Sequence, residues 1–516
     1  MEKETLKNKY LDYYRRARED MQRQDIFEKF QKYNRYWQGD CVVKKSENHP
    51  ASNTNIIHPV IEGQVALLTE QNVSVSAVPQ SPSEVPFAKK AGQVLEFIKD
   101  KNKIHRVIER HERNREKYGT GVLRVIFDPD LLGGAGLPQI ECVENGSIFI
   151  DPCITDPSKI QEAEFIIEAA VKSIYWAKET YGSEIASQIE ENYFPYGEAK
   201  NYDSVNAKYL HLLVWTRKGG ILRLVEMSGD GTILSDSGEN ESFYAVSKYP
   251  YFFTNLYGRE GSIWGVGDVE LLCPTQDLIN DLDDQIRLNA RLTANPQRLV
   301  ETGSGIDLES LTNEPGLNIP VNNINAVRDL QPSAVPSYII ERRNLALQYE
   351  TSKVSRFSDQ MLGSKQKGVD TATEALALQE NAHQGISFKK LQLQETLSDV
   401  FSYCLALVRE FWNGDVEFRI NKESDEFICF SASELSAIKR LRKKDGEFIP
   451  EGTKEAEFEI KVSVGAGLPY NKAYQYSMIV ELTKGGIIHP AETRAWLCEN
   501  FGLPFNKNFP QENLQK

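Results

Sequence analysis

Residues 361–385 read MLGSKQKGVDTATEALALQENAHQG, and within them Gly363, Ser364, Lys365, Gln366, Lys367 and Gly368 place two lysines between two glycines. A phosphate-gripping Walker loop needs lysine and then a hydroxyl directly after the second glycine, because the lysine reaches the β- and γ-phosphates and the hydroxyl holds magnesium. Val369 and Asp370 occupy those places, and the loop follows a helical pattern where a strand is required. The nucleotide reading therefore fails. What remains is a cationic loop with two glycine hinges, suited to brief contact with phosphate or to plain solvation between helices.

Other chemistry-bearing sets are incomplete in the same way. His-Glu at 111–112 begins like the zinc protease pattern, but Arg115 stands where the second histidine ligand belongs, which predicts an exposed, ion-paired helix face. Asp128, Asp130 and Asp151 lie near predicted strand ends, where carboxylates could hold two metals for phosphodiester cleavage, with Glu141 as the further acid. Cys142 and Val143 follow Glu141, so the lysine of an acid-x-lysine nuclease motif is missing. Lys439, Arg440, Arg442, Lys443 and Lys444 form a basic run, predicted as a helix with Gly446 as its cap. Six acids fall between 268 and 284, with Asp277, Asp281 and Asp284 on one helical face that would repel DNA.

The elements that carry these residues follow from periodicity. Residues 3–38 read as one amphipathic helix, followed by a helix from Ile56, a strand at 73–78, and helices through 86–100 and 104–119. Strands intermixed with helix then run to about 266 without regular alternation, which predicts an α+β fold. From 267 a helix is expected, with Asp268 as N-cap, Pro274 as a kink or restart, and Leu271, Leu278, Leu282 and Ile286 as its apolar points. Five of the 22 prolines crowd into 295–336, favouring short strands and turns. Helices are expected over 337–362 and from about 371 to 412, with a bend at Gly385, and strands return after 413.

Composition sets the outer bounds. With 516 residues, 40% hydrophobic and 26% charged, the chain can bury a sizeable core, and its longest apolar runs stop short of a membrane span. The charged first residues are unlike a signal peptide, so an intracellular site of synthesis is expected. Cysteines 41, 142, 153, 273, 404, 429 and 498 are scattered and odd in number, which predicts reduced thiols. A net charge of −14 disfavours a surface that grips nucleic acid throughout, but not one past which DNA slides.

Taken in order, KYGTGVLRVIFDPD, SIFIDP, GSIWGVGDVELLCPTQDLINDLDDQIRLNARLTANPQRLV and VSVGAGLP resemble the portal proteins of tailed bacteriophages. The resemblance implies a non-enzymatic subunit of a ring, usually a dodecamer, at one capsid vertex. Through that ring the terminase large subunit packages double-stranded DNA, and the genome later leaves. It implies residues 1–266 and 413–487 as wing, 267–294 and 337–362 as stem, 295–336 as clip, 363–371 as tunnel loop, 372–412 as the bent helix, and 488–516 as a crown remnant. Gly363 to Gly368 would line the channel, and Asp277, Asp281 and Asp284 would face it. Arg298, Glu301, Asp307, Glu309 and Glu314 would meet the terminase and the neck adaptor. Capsid and scaffolding proteins are further implied partners, the virion and host cytoplasm the implied locations, and no cofactor or metal is implied. Tyr13, Tyr14, Trp37 and the apolar side of the stem helices are candidate subunit contacts. The alternative is a metal-dependent nuclease built on Asp128, Asp130, Glu141 and Asp151.

Overall fold

The computed structural model describes residues 2–41, 51–69, 73–189, 208–303, 327–330, 334–355, 372–412 and the strands between 416 and 464. It also describes single positions such as Asp307, Glu309 and Thr493; side chains are described over fewer residues, beginning at Ile386 in the last long helix. Residues 1–464 form one compact unit and 465–516 a second. In the second, Thr483 Oγ1 lies 2.7 Å from Thr493 Oγ1.

The fold is α+β, and every strand pairing among the described residues is antiparallel. Helices α1 (Glu2–Arg23) and α2 (Ile26–Gln38) replace the single helix expected from periodicity. Asp25 adopts a left-handed φ of 55°, which ends one helix and starts the next. Tyr13 stacks on Phe165 at 4.3 Å and Tyr14 meets Phe149 edge-on at 4.8 Å, so these rings belong to the chain's own core rather than to its surface.

After α3 (Ile57–Thr69), β1 (Val73–Pro79), α4 (Val85–Lys101) and α5 (Ile104–Tyr118), the chain enters its sheets. Strands β2 (Thr120–Asp128), β3 (Leu137–Val143) and β9 (Tyr251–Asn255) form one, in the order β3-β2-β9. The other follows sequence order through β4 (Ile148–Ile150), β5 (Phe165–Ser173), β6 (Lys208–Lys218), β7 (Ile221–Ser228) and β8 (Ile233–Asp236). Short helices α6 (Ile174–Tyr181) and α7 (Ser183–Ala186) follow β5. Val, Ile and Leu alternate inward along these strands and join α1, α4 and α5 in the main core.

Hairpin β10 (Tyr257–Arg259) and β11 (Ser262–Val266) delivers the chain to α8 (Asp268–Ala294). Gly267, in extended conformation, is the N-cap, and the expected cap Asp268 is buried inside the helix instead. The helix runs through Pro274, at the loss of one backbone hydrogen bond, and its 27 residues span about 40 Å. Its buried stripe is Val269, Leu272, Cys273, Gln276, Ile279 and Leu282, whereas the expected apolar point Leu271 faces solvent.

A two-stranded ladder of β12 (Gln297–Val300) and β13 (Val327–Leu330) follows, in keeping with short strands in the proline-rich stretch. Helix α9 (Ser337–Leu345), a π-turn (Ala346–Glu350) and α10 (Thr351–Ser355) return along α8, and Arg343 pairs with Asp283. Helix α11 (Ala372–Phe411) is continuous through Gly385 and about 60 Å long. Its end is anchored by Trp412, whose Nε1–H donates to Gly136 O at 3.0 Å.

The return strands are β14 (Val416–Arg419), β15 (Phe427–Phe430), β16 (Ile438–Lys444), β17 (Glu447–Lys454) and β18 (Phe458–Val464). The basic run 439–444 is therefore the strand of a β16–β17 hairpin, not a helix. β-Branched and aromatic residues in Ile438, Phe448 and Ile449 suit that pairing, and Pro450 is incompatible with a helix interior. Strand β18 pairs with β1 from Val73↔Val464 to Pro79↔Phe458, so the chain closes on itself across some 380 residues.

Candidate functional site

The base of α8 holds a fully buried ionic network. Lys389 of α11 places Nζ 2.8 Å from both carboxylate oxygens of Glu116 on α5, 2.9 Å from Asp268 Oδ2 on α8, and 2.6 Å from Gln64 Oε1 on α3. Gln64 Nε2 in turn donates to Asp268 Oδ2 at 3.0 Å. One helical turn earlier on α5, Glu112 takes hydrogen bonds from Arg115 and sits 2.9 Å from His111 Nδ1, while Arg115 reaches Gln392 Oε1 at 3.0 Å. His111, Glu112, Arg115 and Glu116 are all 0% exposed, so the ion-paired face expected in solvent lies inside the fold.

Charge balance explains the network's titration. Three carboxylates, Glu112, Glu116 and Asp268, face the cations of Arg115 and Lys389 in a fully buried site. Burial is the largest influence on Glu116 and lifts its carboxyl to about 7, with Lys389 pulling the other way and Asp268 pushing up again. A proton held there neutralises the cluster. Asp268 Oδ1 and His111 Nε2 have no hydrogen-bond partner.

Three glycines permit this junction. Gly119 ends α5 with φ of 85°, and a Cβ there would sit 2.4 Å from the carbonyl of Gly265. A Cβ on Gly267 would lie 2.5 Å from Glu116 O. Backbones of α5, β11 and α8 thus touch directly, which fixes Asp268 against Glu116.

Further along α8, polar side chains hold residues 51–56. Asp284 Oδ1 accepts from Ser52 N at 2.6 Å, Asp283 Oδ2 from Thr54 Oγ1 at 2.6 Å, and Gln276 Oε1 from Ile56 N at 3.0 Å. Asp277 Oδ1 accepts from Tyr36 Oη at 2.7 Å. Of the expected wall acids, Asp277 and Asp281 are exposed and Asp284 is half-buried, and Asp277 and Asp284 each accept a hydrogen bond from within the chain. Burial raises the Asp283 carboxyl, but hydrogen bonds from Arg343 and Thr54 outweigh it and hold the group below its usual range.

The strand ladder beyond α8 carries Arg298, paired with Asp329 at 3.4 Å, and Glu301, Asp307 and Glu309 are exposed. Gly363 to Gly368 and Glu314 lie outside the described residues. The four nuclease candidates do not converge. Asp128 pairs across from Leu137 and Glu141 from Arg124, so the two carboxylates stand four strand positions apart, about 13 Å. Asp128 Oδ1 accepts from Asp130 N, Glu141 is bound by Arg124, and Asp151 accepts from the backbone N–H of Cys153 and Glu164. Among the described residues no group of three His, Cys, Asp or Glu could hold a metal, and no helix is long and apolar enough to cross a membrane. Six of the cysteines are free thiols, and Cys41, Cys273 and Cys404 are buried.

Sequence reasoning missed the Lys389 cluster, since its members are scattered over Gln64, Glu116, Asp268 and Lys389. The one available signal was a charged residue at an inward position of two different helices. The chain matches no protein-family model. It matches no curated protein either.

Proposed function

We propose that the chain is a portal subunit of a tailed phage: one member of a ring whose bore passes double-stranded DNA. The ordered segments that resemble that family support the reading. The observation that carries it is an arm formed by α8, the β12–β13 ladder and α9. The arm concentrates apolar side chains at the surface: Leu271, Leu299, Leu330, Tyr338, Ile340 and Leu345 are 41–67% exposed. They are six of the thirteen large hydrophobics exposed among the described residues, within a stretch of 75 residues. Scattered exposed leucines are ordinary, but such a concentration is the property of a surface that another chain covers.

In this reading α8 and α9–α10 are the stem, the β12–β13 ladder belongs to the clip that meets the terminase and the neck adaptor, and α11 follows the tunnel loop. Heterologous contacts between copies close by rotation into a ring. Arg343 binding Asp283 keeps the two stem helices moving together. The Lys389 cluster ties the stem base to α11, so a displacement of one reaches the other.

Electron microscopy of the purified protein tests the reading. Rings with a central hole are expected; a monomer at every protein and salt concentration overturns it. A magnesium-dependent nuclease activity abolished by Asp128→Ala would replace it with the enzymatic alternative.

A further inference from the structure

The cleft bounded by α2, the end of α5 and the β3–β4 turn has the makings of a ligand site, independent of the portal reading. It encloses about 480 Å³ and is walled by Phe27, Phe30 and Tyr118, with Gln31, Asn34 and Asn114 on its rim and Lys117 and Asn145 set deeper. Lys117 is only 6% exposed. Its Nζ donates to the neutral Asn34 Oδ1 at 2.7 Å and lies over the rings of Trp37 and Tyr118, at 4.1 and 4.9 Å from their centroids.

No described carboxylate comes within ion-pair distance of Lys117, although its neighbour Glu116 is matched by Lys389. Aromatic faces recover part of the cost of burying an ammonium, yet a counter-ion recovers more. Burial is the largest influence on Lys117 and lowers its amine to about 8; Arg113 pushes the same way and Glu62 opposes. A second unmet valence lines the same cleft. Asn145 is 2% exposed and donates Nδ2–H to Thr120 O at 2.6 Å, while its Oδ1 has no partner. The cleft thus offers a cation for an anionic oxygen and an acceptor for an N–H, next to an apolar wall.

We propose that this cleft binds an acidic residue of a peptide segment from another protein chain, its side-chain carboxylate on Lys117 Nζ and a backbone N–H of the same segment on Asn145 Oδ1. The volume accommodates a few residues at most. Glu144 also lines the cleft, exposed at its mouth, and repels an anion there. It therefore tempers affinity without occupying the ammonium.

Pulsed acetylation of the full chain, read by peptide mass spectrometry, tests this at residue level. Acetyl-glutamate N-methylamide is the probe, acetyl-glutamine N-methylamide its neutral isostere, acetate the bare anion, and exposed Lys103 the internal reference. The acidic probe should slow acetylation of Lys117 about fivefold at pH 8, the effect of raising its pKa from about 8 by one unit, and leave Lys103 unchanged. Asn145→Ala should weaken that protection, and Glu144→Gln should strengthen it. Equal protection by the neutral isostere, equal slowing of Lys103, or no protection overturns the site. Protection by acetate as strong as by the probe overturns the peptide assignment.

Discussion

Lys389 is the residue on which the interior electrostatics turn. Replacing it with Met preserves length and apolar packing but strands Glu116 and Asp268 as unpaired buried carboxylates. The expected loss is about 3–5 kcal/mol in urea denaturation, because removing one partner of a buried pair leaves the other desolvated. Adding Glu116→Gln and Asp268→Asn to the same chain should recover part of it, whereas a merely steric role for Lys389 would make the triple variant worse. Glu116 also gives a pH signature. Its folded pKa is raised above the ordinary carboxylate value, so the native state binds a proton that the unfolded state releases. That contribution is complete below about pH 4.5 and is lost as pH rises to about 7. The difference in unfolding free energy between the wild type and Glu116→Gln, measured from pH 4.5 to 8, should follow that slope and flatten above it. Asp268 was legible as a residue near a helix start; its partner was not, because nothing in the sequence around 389 points to a place 121 residues earlier.

At the scale of elements, periodicity located most helices and strands, since the apolar spacing of α4, α5 and α8 and the alternation of β1, β2 and β7 are imposed by the core. It failed where a single backbone conformation decided the outcome. Asp25 breaks the first helix by turning left-handed, and nothing in its neighbours' apolar pattern announces that. The 439–444 run was read from its charge, but cross-strand pairing with 447–454 determines its conformation. Helical periodicity in α8 found Leu278 and Leu282 but not the exposure of Leu271, nor the burial of polar Gln276 and Asp283, which hold residues 51–56. The junction glycines give a direct test. Gly267→Ala should cost about 1–3 kcal/mol, as its methyl would meet the Glu116 carbonyl and the Gly119 N–H and force α8 outward. Gly258→Ala, whose Cβ meets nothing within 4 Å, should fall well below that range in the same thermal denaturation series. Equal losses at both positions would mean that the α5–β11–α8 contact has no special role.

For the whole molecule, the decisive question is what covers the arm. Leu299 and Leu330 project from the same face of the β12–β13 ladder, since Leu330 opposes Gln297 and residues 297 and 299 share a side. Both are about half exposed, and Tyr338 at the start of α9 is 67% exposed. In the proposed ring, copies packed side by side would bury it and leave the acidic chain charge to keep rings apart from one another. Leu299→Glu combined with Leu330→Glu should therefore abolish assembly in sedimentation velocity while circular dichroism and the denaturation midpoint stay within about 0.5 kcal/mol of the parent, as expected for surface sites. A third substitution, Tyr338→Glu, distinguishes an interface on the ladder from one that extends down the stem. If the ladder pair alone removes rings, the contact is local to the β12–β13 ladder; if Tyr338→Glu is as damaging by itself, α9 also meets its neighbour. Unchanged assembly in both the double variant and Tyr338→Glu would move the subunit contact off the arm and remove the observation on which the ring reading rests.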